Sequence, residues 1–82
     1  MNNINIKINK NLKIPYYHQL YENIAKSIEN NQFAEGEKLA GEFELCENYG
    51  VSRITVRQAL KELELTGYIV RERGRGTFIR KK

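Results

Sequence analysis

Tryptophan is absent from this 82-residue chain, and proline, cysteine, methionine and histidine occur once each. A single cysteine, Cys46, excludes an internal disulfide, and one histidine beside it gives no set of residues with metal-ligand spacing. Neither a metal nor a cofactor is therefore expected. Cys46 falls on the inward side of a short helical pattern and reads as a small core residue rather than a reactive thiol. No stretch approaches the roughly 20 apolar residues of a membrane helix. The opening MNNINIKINKNLK also lacks the continuous apolar core of a signal peptide, so the expected location is the cytoplasm, with no membrane partner. No nucleophile stands at a suggestive spacing from a base and an orienting acid, and so short a chain has little room for a substrate pocket. No catalytic residue is expected, and His18 reads as a surface or half-buried ring.

What the chain has is a modest excess of positive charge, unevenly placed. Fourteen Lys and Arg against ten Asp and Glu give +4, and residues 71–82 hold Arg71, Arg73, Arg75, Arg80, Lys81 and Lys82 against one acid, Glu72. Such a cluster is either an electrostatic footprint for phosphate or a solubilising end. The length suits one small domain with a modest core.

The most informative stretch is Val51 to Val70, VSRITVRQALKELELTGYIV, followed by RERGRGTFI. Ser52 is a preferred N-cap, which predicts a helix starting at Ser52 or Arg53. Val56, Ala59, Leu60 and Leu63 recur at i, i+3, i+4 and i+7, the stripe of a helix laid on a core. Ile54, Arg57 and Lys61 project away from that stripe. Gly67 suits the helix end, and Ile69 and Val70 favour an extended strand, so a hairpin with a Gly-Arg-Gly tip follows. That tip lacks the G-x-G-x-x-G spacing and the following helix of a nucleotide site and reads as a turn.

Arg53 and Arg57, four residues apart, point from the first turns of this helix toward one groove, with Ser52 and Thr55 near enough to reach phosphates. Arginine matches the O6 and N7 edge of guanine with two parallel hydrogen bonds. Taken alone, two arginines on a helix describe a solvated face. The preceding segment changes that reading. Residues 42–49, EFELCENY, form a short helical pattern with Leu45, Cys46 and Tyr49 inward, ending at Gly50. Two helices joined by a short turn containing glycine, the second with polar N-terminal residues outward, make a helix-turn-helix.

Upstream, Pro15 suits a helix start, and Tyr17, Leu20, Tyr21, Ile24 and Ile28 repeat with helical spacing. Tyr16, Tyr17 and Tyr21 share a helix with core spacing, which favours packing over a stacking platform for single strands. Asn30, Asn31 and Gln32 end this helix, Phe33 packs back, and Lys38 and Leu39 form a short extended piece. Residues 1–13 read as a flexible N-terminal arm.

With these elements in order, the chain resembles the N-terminal DNA-binding domain of the GntR family of bacterial transcription regulators. The resemblance runs from about Ile14 to Ile79 and is carried by YHQLYENIAKSI (17–28), GEKL (36–39), NYGVSRITVRQALKELELTGYI (48–69) and RGRGTF (73–78). The opening PYYHQLYENI and the run VSRITVRQAL look most like its HutC-type branch. The fold implied is mainly α with a small β-hairpin: a winged helix-turn-helix over residues 14–80, in the order helix, strand, helix, helix, strand, strand. The resemblance further implies a recognition helix in the major groove of double-stranded DNA and a wing tip in the adjacent minor groove. Matched position by position, it implies DNA contacts from Ser52, Arg53, Thr55 and Arg57 on the helix and from Arg73, Gly74, Arg75 and Gly76 on the wing. Where the family usually reads Leu-Pro-Ser-Glu-Arg, this chain has Leu39, Ala40, Gly41, Glu42 and Phe43, so an arginine that often contacts DNA is a phenylalanine here. The family's C-terminal domain, which binds a small-molecule effector and supplies most of the dimer contact, is expected to be absent from this chain. The implied picture is a homodimeric full-length regulator on a near-palindromic operator, with this chain monomeric when alone. The alternative is a winged-helix module for protein interaction or RNA binding, which would not require outward Arg53 and Arg57 beside a Gly-Arg-Gly tip.

Overall fold

The structure, a computed structural model, describes residues 8–81. Three helices precede a two-stranded hairpin: α1 (Tyr16–Glu29), α2 (Glu42–Tyr49), α3 (Arg53–Leu65), β1 (Ile69–Glu72) and β2 (Gly76–Ile79). This is the winged helix-turn-helix that the family resemblance implies. Helix α1 buries Leu20, Ile24 and Ile28 against Val56, Ala59, Leu60 and Leu63 of α3. Tyr17 and Tyr21 flank this core partly buried, which places them in packing rather than on a platform, whereas Tyr16, expected to pack with them, is exposed at the first turn of α1. The apolar stripes of the two helices thus close on each other, with Leu45 from α2 and Ile69 and Ile79 from the hairpin sealing the ends.

Each helix boundary has a local cause. Helix α1 stops where Asn31 takes φ 62, with Asn31 N–H on Ile28 O and Gln32 N–H on Ser27 O, the paired bonds that satisfy terminal carbonyls. Helix α2 ends at Gly50, whose φ of 65 a side chain would strain, and whose N–H donates to Cys46 O at 2.9 Å. That left-handed residue lets the chain reverse within Gly50, Val51 and Ser52. Helix α3 then starts at Arg53, as its cap predicts, and closes with Tyr68 N–H on Leu63 O.

Strands β1 and β2 are antiparallel, pairing Ile69 with Ile79, Val70 with Phe78, Arg71 with Thr77 and Glu72 with Gly76. The extended piece expected at Lys38 and Leu39 is present only as a single bridge between Lys38 and Phe78. Leu39 N–H donates to Thr77 O and Ile79 N–H to Glu37 O, both at 2.8 Å, so the segment lines the hairpin edge without becoming a third strand. The turns on either side, at Gly36 and at the start of α2, leave it too short.

Of the arm expected over residues 1–13, residues 1–7 lie outside the described residues. Residues 8–14 are held to α1 by Gln19, whose Oε1 accepts from Asn9 N–H at 2.8 Å and whose Nε2 donates to Asn9 O and Ile14 O. Ile8 packs against the core. The basic end is likewise tied back: Arg80 N–H donates to Tyr68 O, and Lys81 reaches Asn31 and Glu35.

Candidate nucleic-acid interface

Ser52 begins the candidate surface by capping α3. Its Oγ accepts from Thr55 N–H at 3.2 Å, satisfying one of the amides that a helix start leaves unpaired. The two hydroxyls, Ser52 Oγ and Thr55 Oγ1, lie 3.0 Å apart and hydrogen bond to each other. Both residues therefore sit where the DNA contacts were expected, with part of their hydrogen-bonding capacity already engaged in the cap.

Arg53 and Arg57 emerge from successive turns with side chains 72% and 66% exposed. A single carboxylate joins them. Glu42, in the first turn of α2, places Oε1 3.4 Å from Arg53 Nε and Oε2 3.6 Å from Arg57 Nε. Both contacts run through the inner guanidinium nitrogen, and the outer nitrogens, which form the fork suited to a base edge, make no hydrogen bond among the described residues. Exposed ion pairs of this kind are worth about 0–1 kcal/mol each, so they hold the side chains in a common region without locking them. The net result on this face is one positive charge from three groups, with both cations still open to an incoming anion.

The wing tip is built by the turn Glu72 to Arg75, closed by Arg75 N–H on Glu72 O at 2.9 Å. Gly74 has φ 76 with open space where a Cβ would stand. Gly76 differs: at φ 128 its Cβ would lie 2.7 Å from Lys38 Cε, so the lysine stem crosses directly over it. Arg75 pairs with Glu72 at 3.6 Å and Arg71 with Glu64 at 3.6 Å, which leaves Arg73 as the wing arginine without an ion pair among the described residues. The eight residues expected to touch DNA thus fall into two groups, Ser52, Arg53, Thr55 and Arg57 at the start of α3, and Arg73, Gly74, Arg75 and Gly76 at the tip of the hairpin.

Two features of this surface were not anticipated. Glu42 reads in sequence as an acid favourable at a helix N-terminus, which it is, but its shared contact with both arginines depends on the angle between α2 and α3. Lys38 belongs to the extended segment, and only the close approach of that segment to β2 carries its side chain to the wing. Phe43, beside Glu42, is 72% exposed and joins no core contact. No group of three or more His, Cys, Asp or Glu is placed to hold a metal among the described residues, and no helix among them is long and apolar enough to cross a membrane.

Residues 16–79 match the family model described as bacterial regulatory proteins, gntR family. The chain is 42% identical over 76 residues to the HTH-type transcriptional repressor NagR of Bacillus subtilis, covering 93% of this chain and 31% of that protein. It is 41% identical over 73 residues to the transcriptional regulator YurK of the same organism, covering 89% and 30%. Among solved structures, YtrA from Sulfolobus acidocaldarius, described as a GntR-family transcription factor, superposes with a TM-score of 0.87 at 31% identity, over 94% of this chain and 81% of that one. The DNA-binding domain of AraR in complex with operator ORE1 superposes with a TM-score of 0.78 at 32% identity, over 87% of each chain. The chain spans about a third of the length of the curated relatives it matches.

Proposed function

The chain belongs to the GntR family of bacterial regulatory proteins, and from that premise we propose that its winged helix binds double-stranded operator DNA sequence-specifically, α3 in the major groove and the wing tip in the minor groove. The observation that carries this reading is the outward pair Arg53 and Arg57 at the start of α3, both largely exposed, with their outer guanidinium nitrogens uncommitted. A helix of this size fits a major groove, and its N-terminal residues are those that reach base edges. The AraR DNA-binding domain, which shares this fold, has been solved in complex with operators ORE1 and ORX1, which supports operator DNA as the partner.

In this account Arg53 and Arg57 read guanines, while Ser52 and Thr55 position the helix on phosphates. Arg73 and Arg75 flank the minor groove, and Gly74 and Gly76 keep the tip narrow enough to approach it. The chain acts by binding and carries no catalytic step. In a full-length regulator, a second domain would pair two copies on a near-palindromic operator and take a small-molecule effector, and the winged helix by itself binds one half-site as a monomer, in the cytoplasm. The PYYHQLYENI and VSRITVRQAL segments favour the HutC-type branch.

Selection of bound duplexes from a random pool tests this reading. A recurring motif of a few base pairs, bound with strong salt dependence, is the expected result. Recovery of no motif, or preference for single-stranded RNA over duplex, would contradict it.

A further inference from the structure

The start of α3 carries one exposed apolar side chain among its polar ones. Ile54, the second residue of α3, is 76% exposed and makes no core contact, although an isoleucine in water gains nothing from that placement. It does not stand on a neutral surface. Arg53 precedes it, and Arg57 and Gln58, three and four residues on, are its neighbours on the helix face. Leu65 is comparably exposed, but eleven residues further along a helix rising about 1.5 Å per residue it lies roughly 16 Å away, more than the width of a major groove.

Resting on the proposed docking of α3, we propose that Ile54 is a specificity-determining residue that packs on the 5-methyl group of a thymine beside the guanine read by an arginine. The occupant follows from charge and chemistry. A second copy of this chain would bring its own Arg53 and Arg57 against the same cations, whereas duplex DNA brings phosphates that complement them. Within a major groove the apolar feature on offer is the thymine methyl, and apolar side chains contact it there. Ile54 stands at the end of α3 that enters first, within one turn of both arginines, so the apolar and cationic contacts fall on adjacent base pairs.

The test uses the duplex recovered by selection and replaces each thymine in turn by deoxyuracil, which removes the methyl and leaves base pairing unchanged. For the unaltered chain, one replacement should weaken binding about fourfold, the effect of one buried methyl-sized group. Ile54→Ala should bind the thymine duplex more weakly and be indifferent to that same replacement. Its exposure predicts an unchanged helical circular dichroism spectrum. The inference is overturned if no deoxyuracil replacement affects a duplex that the chain still distinguishes from random DNA, or if the effect persists in Ile54→Ala. In either case, guanine replacements that still weaken binding would leave the docking itself standing. Failure to distinguish any duplex from random DNA would instead remove the docking, and the inference with it.

Discussion

Ser52 and Glu42 show how single residues serve the fold and the surface together. The Ser52 hydroxyl caps α3 through Thr55 N–H, so Ser52→Ala should lower stability by about 0.5–2 kcal/mol, the usual range for a lost cap. Chemical denaturation of the variant checks this, and a change within error would mean that the cap is replaced. Glu42 has the opposite balance, since its two ion pairs are exposed and weak while its charge sits between Arg53 and Arg57, the cations proposed to face DNA. Glu42→Gln should therefore leave stability nearly unchanged and raise affinity for random duplex, with a steeper dependence on salt. Fluorescence anisotropy at two salt concentrations measures both quantities. An unchanged affinity for random DNA would place Glu42 away from the phosphates.

At the scale of elements, the recognition helix and the wing make different demands. Helix α3 needs only a rigid core face and a free outer face, and its stripe of Val56, Ala59, Leu60 and Leu63 meets the first requirement. The wing needs a tip without side-chain bulk. Gly74 adopts φ 76 in open space, a conformation that asparagine tolerates better than other residues. Gly74→Asn should accordingly keep the helical circular dichroism signal and bind duplex more weakly, because the added side chain occupies the tip. Full affinity in the folded variant would take the wing out of the contact surface. Gly76 is a less clean probe, since a side chain there also displaces Lys38.

The helices were legible in the sequence because caps and 3.6-residue stripes are local signals: Ser52, Gly50 and the Leu20, Ile24, Ile28 series lie within the segments they define. The rest depends on contacts distant in sequence. Gln19 reads as an ordinary helix residue until its amide is seen holding Asn9 and Ile14, and the Lys38 edge looks like a strand until its flanking turns limit it to one bridge. Among the candidate contacts, the outward placement of Arg53 and Arg57 was readable from helical spacing, while the wing positions came from the family resemblance. The carboxylate that joins the two arginines was not, because it arrives from another helix.

For the whole molecule, charge and titration set the working limits. Burial pushes the Tyr49 hydroxyl up to about 12, and the hydrogen bond to Glu29, with burial and the nearby Glu29 charge, pushes Tyr68 to about 12 as well. Both groups hold their protons more tightly folded than unfolded, so the stability they contribute is fully present below pH 10 and is lost as pH rises from 10 through 12. Thermal melts should show Tm falling across that window, with a smaller fall in Tyr49→Phe and Tyr68→Phe; equal falls in all three proteins would assign the loss to other groups. Such conditions are far from those of the proposed binding, in which α3 and the wing meet a polyanion. The most direct measurement of the central claim is the ratio of affinities for the selected duplex and a random duplex of equal length, taken for the unaltered chain and for Arg53→Ala and Arg57→Ala. Loss of a bidentate guanine contact should cost about 1–3 kcal/mol on the selected duplex and much less on the random one, shrinking the ratio by roughly 5- to 150-fold. Equal weakening on both duplexes would contradict the account, leaving the arginines as phosphate contacts and sequence reading to another part of the surface.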